Sequence, residues 1–274
     1  MKIALTVAGS DSGGGAGIQA DLKTFHQFGV HGTTVIVALT AQNTLGVEAV
    51  HLVPAAMVEA QFAALSRDLP PDALKTGMLA SADLVRQVAR TIQSNRWTRY
   101  VLDPVMVATS GDRLLSEDAE AVVRTELVPL AQVVTPNLDE ASILTGFEVR
   151  DPESMARAGR RLVDMGAGAA LIKGGHLPGD DLVDLLVTAG NGITRFQHRR
   201  LATRSTHGTG CTLSAGITAG LAQGLAVEAA AERALDYLQR AIAHAPALGA
   251  GPGPIDHSVP AMIPSIRSAT RSPT

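Results

Sequence analysis

Short apolar runs alternate with one-faced helical stretches along most of this chain, and that alternation limits the folds open to it. Residues 3–8, 33–39, 73–78, 99–102, 132–135 and 169–172 read as buried strands, each cut off by glycine, proline or a polar cluster. Between them lie helical stretches at 18–28, 54–69, 82–92, 116–130 and 152–165. Their apolar residues recur three and four apart, as at Leu84, Val85, Val88 and Ile92. Units of this kind predict a three-layer α/β/α fold with a mostly parallel central sheet covered on both faces. Ser116 is expected to cap its helix, with acids in the first turn. Residues 182–188 and 193–197, joined by A-G-N-G, predict a small antiparallel hairpin. Two Ala-rich helices, 208–223 and 227–244, complete the pattern. No linker-like break precedes residue 250, so residues 1–257 read as one domain and 258–274 as a flexible C-terminal tail.

A chain of 274 residues with 46% hydrophobic content has enough material for an enzyme-sized core. Its net charge of −3 gives no reason to expect nucleic acid or an anionic membrane as a partner. One cysteine excludes an intrachain disulfide and fits a reducing compartment. No apolar run approaches the roughly 20 residues that span a bilayer. The expectation is a soluble, cytoplasmic protein.

In an open α/β sheet the ligand crevice lies beyond the carboxyl ends of the strands. Asp11, Gln42, Met78, Asp103, Asn137, Glu140 and Lys173 stand at such ends. Several have a plainer reading. Asp103 before Pro104 is a natural turn former, Glu140 can offset a helix dipole, Met78 suits a core, and Asp21 reads as helix surface. Lys173 resists that reading. It is one of only four lysines, follows a buried strand directly and precedes two glycines. A flexible cation placed there suits the oxygens of a phosphate chain. The block S-T-H-G-T-G-C-T-L-S (205–214) opens a helix with glycines, so the free first-turn amides around Gly208, Thr209 and Gly210 make an anion site. Cys211, in or beside that turn, is expected to ionise more readily than a free thiol; the alternative is a buried cysteine behind a Gly-rich turn. Asp103 and Glu140 suit Mg²⁺, directly or through water. A cradle, a cation, a metal site and a candidate base are the parts of phosphoryl transfer. The first Gly-rich loop, G-S-D-S-G-G-G-A-G (9–17), is neither a dinucleotide fingerprint nor a Walker A loop.

Seven blocks, in order, resemble the hydroxymethylpyrimidine/phosphomethylpyrimidine kinases of thiamine biosynthesis, within the ribokinase-like superfamily. They are G-S-D-S-G-G-G-A-G-I-Q-A-D-L-K (9–23), A-L-T-A-Q-N-T (38–44), K-T-G-M-L (75–79), D-P-V-M (103–106), T-P-N-L-D-E-A (135–141), K-G-G-H (173–176) and T-H-G-T-G-C-T (206–212), with a closing G-P-I-D-H at 253–257. The resemblance implies ATP-dependent phosphorylation of 4-amino-5-hydroxymethyl-2-methylpyrimidine, and then of its monophosphate. It implies that Gln42 bonds the aminopyrimidine edge, with Gly9, Asp21, Met78 and Val105 lining the pocket. Lys173 would bind the ATP phosphates and stabilise the transferring group. Asn137, Thr206 and Thr209 would serve the nucleotide, and Asp103 and Glu140 would organise Mg²⁺, with K⁺ a further candidate ion. Most sugar kinases of the superfamily carry G-A-G-D where this chain has G-T-G-C, so Cys211 stands in the place of the usual base, either taking that role or only shaping the anion hole. Relatives are often homodimers, which is all the resemblance says about assembly. Pyridoxal kinase activity on the same fold is the nearest rival. A non-catalytic ligand sensor would not need Lys173, Asp103, Glu140 and Cys211 together, and a dinucleotide oxidoreductase would need the missing fingerprint.

Overall fold

The computed structural model describes residues 1–106, 115–175, 177, 179–190 and 192–261. A nine-stranded sheet runs through it in the order β3-β2-β1-β4-β5-β6-β7-β8-β9. The central strands β2 (His31–Asn43), β1 (Ile3–Asp11), β4 (Ala73–Thr76), β5 (Tyr100–Leu102), β6 (Val133–Val134) and β7 (Ala169–Ile172) pair in parallel. Strand alternation divides the core between the two faces. Ala4, Ala73, Val101 and Val133 pack under α1 (Gly17–Gln27), α7 (Thr209–Ala222) and α8 (Val227–Ala243), whereas Leu5, Leu74, Leu102 and Val134 face the opposite layer. That layer holds α2 (Ala55–Asp68), α3 (Ala82–Asn95), α4 (Glu117–Val122), α5 (Leu138–Thr145) and α6 (Pro152–Asp164). The three-layer build is the one expected, as is the antiparallel pair β8 (Asp181–Thr188) and β9 (Ile193–Arg199).

The opposite edge differs from expectation. β2 does not stop at residue 39 but continues to Asn43, turns, and returns as β3 (Gly46–Leu52), antiparallel to it. Most of β3 is exposed, so it lacks the apolar run by which a buried strand is read. A second difference lies after Ser116. The helix there is α-helical only over Glu117–Val122, widens to a π turn at Val123–Leu127 and ends in a 3₁₀ turn at Val128–Leu130. Pro129 has no N–H to continue the helix. Ser116 occupies the cap position without bonding a backbone amide; its side chain bonds Asp118 instead. Of the expected C-terminal tail, 262–274 lies outside the described residues. No described helix is long and apolar enough to cross a membrane.

Candidate active site

The crevice forms where the parallel strands run out, and Lys173 lies at its centre. The residue follows β7 directly, and its ammonium reaches Asp103 Oδ1 at 3.5 Å and Glu140 Oε2 at 3.7 Å. Asp103 follows β5 and is 1% exposed. Glu140 belongs to a capping box at the start of α5: its carboxylate accepts from the Asn137 N–H at 2.8 Å, and the Asn137 side chain accepts from the Glu140 N–H at 2.9 Å. Burial pushes the Glu140 carboxyl up to about 7, with Lys173 opposing the rise and Asp103 adding to it. Burial alone would lower Lys173, but Glu140 and Asp103 outweigh it and hold the ammonium above its ordinary value. Lys173 is therefore a standing cation.

Opposite Lys173 is the first turn of α7. Gly208 caps it with φ of 83°, in the left-handed region, and a side chain there would run into the Gly15 carbonyl. Only glycine suits both constraints. A Cβ on Gly210 would lie 3.4 Å from Lys173 Nζ and 3.8 Å from Asp103 Oδ2, so the ammonium and the helix start share one pocket. Thr209 bonds back to the Thr206 carbonyl through its hydroxyl at 3.1 Å and its N–H at 3.4 Å, so its amide is not free as the sequence led one to expect, and Thr206 itself is exposed.

Cys211 departs from the sequence expectation. Its thiol is pushed up to about 12 by burial, against the pull of the Lys75 ammonium, so it is harder to ionise than a free thiol. Asp21 and Asp103 add to the rise, and a backbone hydrogen bond with Gly17 opposes it.

On the other side of the crevice, Gly9 and Met78 touch: a Cβ at Gly9 would come within 2.9 Å of Met78 Cε. Val105 lines an apolar hollow with Gly77, Leu79 and Met106. Gln42 is re-aimed by an irregularity in the β2–β3 pairing between Ala41 and Gln42, the usual effect of a bulge. Its carbonyl accepts from the Thr40 hydroxyl at 3.2 Å, and its amide nitrogen lies 3.4 Å from His207 Nε2. Asp21 is placed beneath the crevice rather than on its wall. It is fully buried, bonded to Thr6 Oγ1 at 2.6 Å and to Lys75 Nζ at 2.7 Å.

Two residues that sequence reasoning left without a role belong to the same region. Lys75, inside K-T-G-M-L, is one. His207, inside T-H-G-T-G-C-T, is the other, with Nε2 2.9 Å from Asp11 Oδ2. Asp11 also accepts the amides of Gly13, Gly15 and Ala16 at 2.8, 3.0 and 2.8 Å. Burial raises the Asp11 carboxyl, but hydrogen bonds from His207, Ala16 and Gly13 exceed that and hold it below its ordinary value. The first Gly-rich loop therefore spends these three amides on Asp11, leaving the α7 start as the open anion site.

A hard divalent cation fits the donor chemistry of Asp103 and Glu140. Among the described residues no three His, Cys, Asp or Glu side chains gather as a cage. Mg²⁺ bound by one or two carboxylates, phosphates and water needs none.

Moving a phosphoryl group calls for a fixed cation beside a helix start, and Lys173 next to Gly210 provides that pair. The chain is a phosphotransferase with a ribokinase-like fold. Comparison with known proteins narrows this. The phosphomethylpyrimidine kinase family model matches residues 11–256. A hydroxymethylpyrimidine/phosphomethylpyrimidine kinase of Rhizobium meliloti is 50% identical over 93% of this chain and 96% of its own length. The thiamine biosynthesis bifunctional protein of Geobacter sulfurreducens is 49% identical over 92% of this chain, which spans 51% of that longer protein. Among solved structures, an ADP complex of Bacillus subtilis pyridoxal kinase superposes with a TM-score of 0.88 at 38% identity, covering 94% of this chain and 98% of that one. The chain belongs to the phosphomethylpyrimidine kinase family.

Proposed function

We propose that the enzyme transfers the γ-phosphoryl group of ATP to the hydroxymethyl oxygen of 4-amino-5-hydroxymethyl-2-methylpyrimidine, and then phosphorylates the monophosphate to the pyrophosphate, in a cytoplasmic setting. The observation that carries this reading is the Lys173 ammonium, held between Asp103 and Glu140 and facing Gly210. Gln42 presents a donor and an acceptor to the aminopyrimidine edge, and Gly9, Met78 and Val105 shape the ring pocket, with Asp21 acting from below through Lys75. Asn137, Thr206, Gly208, Thr209 and Gly210 receive the nucleotide. Asp103 and Glu140 would hold Mg²⁺, which would supply neutralisation of phosphate charge.

The substrate oxygen attacks the γ-phosphorus as the bond to ADP breaks, and the hydroxyl proton passes to the transferred phosphate and from there to solvent. In a loose transition state the attacking hydroxyl needs little help from a base. Burial pushes the Cys211 thiol up, which favours the protonated form, so we assign Cys211 to the shape of the anion hole, with the base role as the alternative that the Cys211→Ala variant tests. Pyridoxal phosphorylation is the second reading, favoured by the similarity to the Bacillus subtilis pyridoxal kinase. An ATP-consumption assay with the pyrimidine alcohol, its monophosphate and pyridoxal in parallel, products read by mass, tests both. Turnover of both pyrimidines supports the two-step reading, and turnover of pyridoxal alone overturns it. Repeating the assay with Mg²⁺ chelated, and with K⁺ replaced by Na⁺, tests the two ions.

A further inference from the structure

Lys75 is one of four lysines in the chain and has no exposed surface at all. Its ammonium faces three oxygens: Asp21 Oδ1 at 2.7 Å, the Cys211 carbonyl at 3.4 Å and Asp103 Oδ2 at 3.9 Å. A buried ion pair is a poor device for stability, because neutral replacement of both partners is often neutral or favourable. The location of this pair suggests another use. Asp21, Lys75, Asp103, Lys173 and Glu140 form an unbroken series of alternating charge, with successive separations of 2.7, 3.9, 3.5 and 3.7 Å. Asp103 is its middle member. Oδ2 faces Lys75 and accepts from the Ser214 hydroxyl at 3.0 Å, while Oδ1 faces Lys173.

We propose that Lys75 is a positioning residue for phosphoryl transfer: clamped by Asp21, it neutralises the inner face of Asp103 and holds the Cys211 carbonyl, so that Lys173 and the α7 amides stay directed at the phosphates. Without the inner cation, the full charge of Asp103 acts on Lys173 and draws its ammonium off the pocket. The Cys211 carbonyl loses its buried cation as well, and the first turn of α7 loses an anchor from the sheet. Lys75 touches no reacting atom in this scheme. Its effect passes through Asp103 and the α7 start.

The proposal rests on the phosphotransfer reading, and the test separates the two. The wild-type enzyme is assayed first with the pyrimidine alcohol, its monophosphate and pyridoxal, which decides the substrate. Variants are then compared on whichever acceptor it phosphorylates. Lys75→Met leaves the buried Asp21 charge without its cation, with only the Thr6 hydroxyl bonded to it, and is expected to lower Tm. Lys75→Met combined with Asp21→Asn removes both charges and is expected to restore Tm to within a few degrees of wild type, yet kcat stays at least tenfold down while the KM for the acceptor stays within twofold. Lys75→Gln, which keeps a donor without the charge, runs alongside with turnover scaled to the folded fraction by near-UV circular dichroism. Recovery of kcat to within twofold of wild type, in the double variant or in Lys75→Gln, would overturn the proposal and leave Lys75 as a structural partner of Asp21. A parallel change in kcat and acceptor KM would overturn it equally.

Discussion

His257 ties the end of the described chain to the back of the active-site helix, and it should make the fold acid-sensitive in a measurable way. Its Nε2 lies 2.9 Å from Thr212 Oγ1, one residue beyond Cys211, and its carbonyl accepts from the Tyr237 hydroxyl at 3.1 Å. Burial lowers the imidazole to about 4 from an ordinary 6.5, with the Lys23 charge adding to the effect. A histidine depressed in the folded state gives stability that is complete above about 6.5 and is lost as pH falls toward 4, because the unfolded chain takes up the proton first. Between pH 7 and pH 4.5 that loss is about 2–3 kcal/mol by linkage from these two values. His257→Asn keeps a polar partner for Thr212 but cannot titrate. At pH 7 it should be less stable than wild type by about 1 kcal/mol, the size of one imperfectly replaced hydrogen bond. At pH 4.5 the order should reverse. Thermal or urea unfolding at both pH values measures the difference, and all other titrating groups cancel between the two proteins. The swing corresponds to roughly 5–10 °C in relative Tm for a chain of this size. An unchanged gap at pH 7 and pH 4.5 would refute the depressed histidine and the burial on which it rests.

Gln42→Ala should raise KM for the pyrimidine alcohol about tenfold with kcat little changed, as loss of one or two polar contacts costs about 1–3 kcal/mol; steady-state kinetics decide it, and an unchanged KM removes Gln42 from the pocket. Cys211→Ala should lower turnover by less than about tenfold, below the usual 10²–10⁴-fold worth of a general base, so a much larger fall would restore the base role. Alkylation of Cys211 by iodoacetamide, followed by mass, should be slow at pH 7 and rise about tenfold per pH unit up to the limit of folding, whereas a rate already flat above pH 7 would mean a thiolate near neutrality. Lys173→Met should lower kcat by about 10²–10³-fold, the scale of removing one preorganised electrostatic contact, and near-normal turnover would displace Lys173 from the centre of the site.

Local chemistry was legible in the sequence and tertiary consequences were not. The helix start at Gly208 could be read because its glycines, threonines and following apolar run lie within one decade of residues. The strand ends at Asp103 and Lys173 could be read because a buried run meets a charged residue abruptly. Lys75 was not legible, since its partners Asp21 and Cys211 stand 54 and 136 residues away. β3 escaped because an edge strand exposed along most of its length has no apolar alternation to show. The helix-terminus reading of Cys211 points to easier ionisation, whereas burial of the folded thiol pushes the other way, a tertiary effect that no local pattern shows.

The strand order spreads the candidate site residues across the sheet. Gln42 and Gly9 lie on β2 and β1, Met78 just beyond β4, Asp103 just after β5 and Lys173 just after β7, while α7 packs over β1, β4 and β5 with His207 at its entry reaching Asp11 and Gln42. Gln42 lies at the far tip of β2, beside a bulge and next to an exposed edge. An edge tip can change sequence without disturbing the parallel core, so one scaffold can acquire a new heterocycle while its transfer chemistry stays intact. On the proposed role of Gln42, a change of heterocycle would be made at the rim of the sheet.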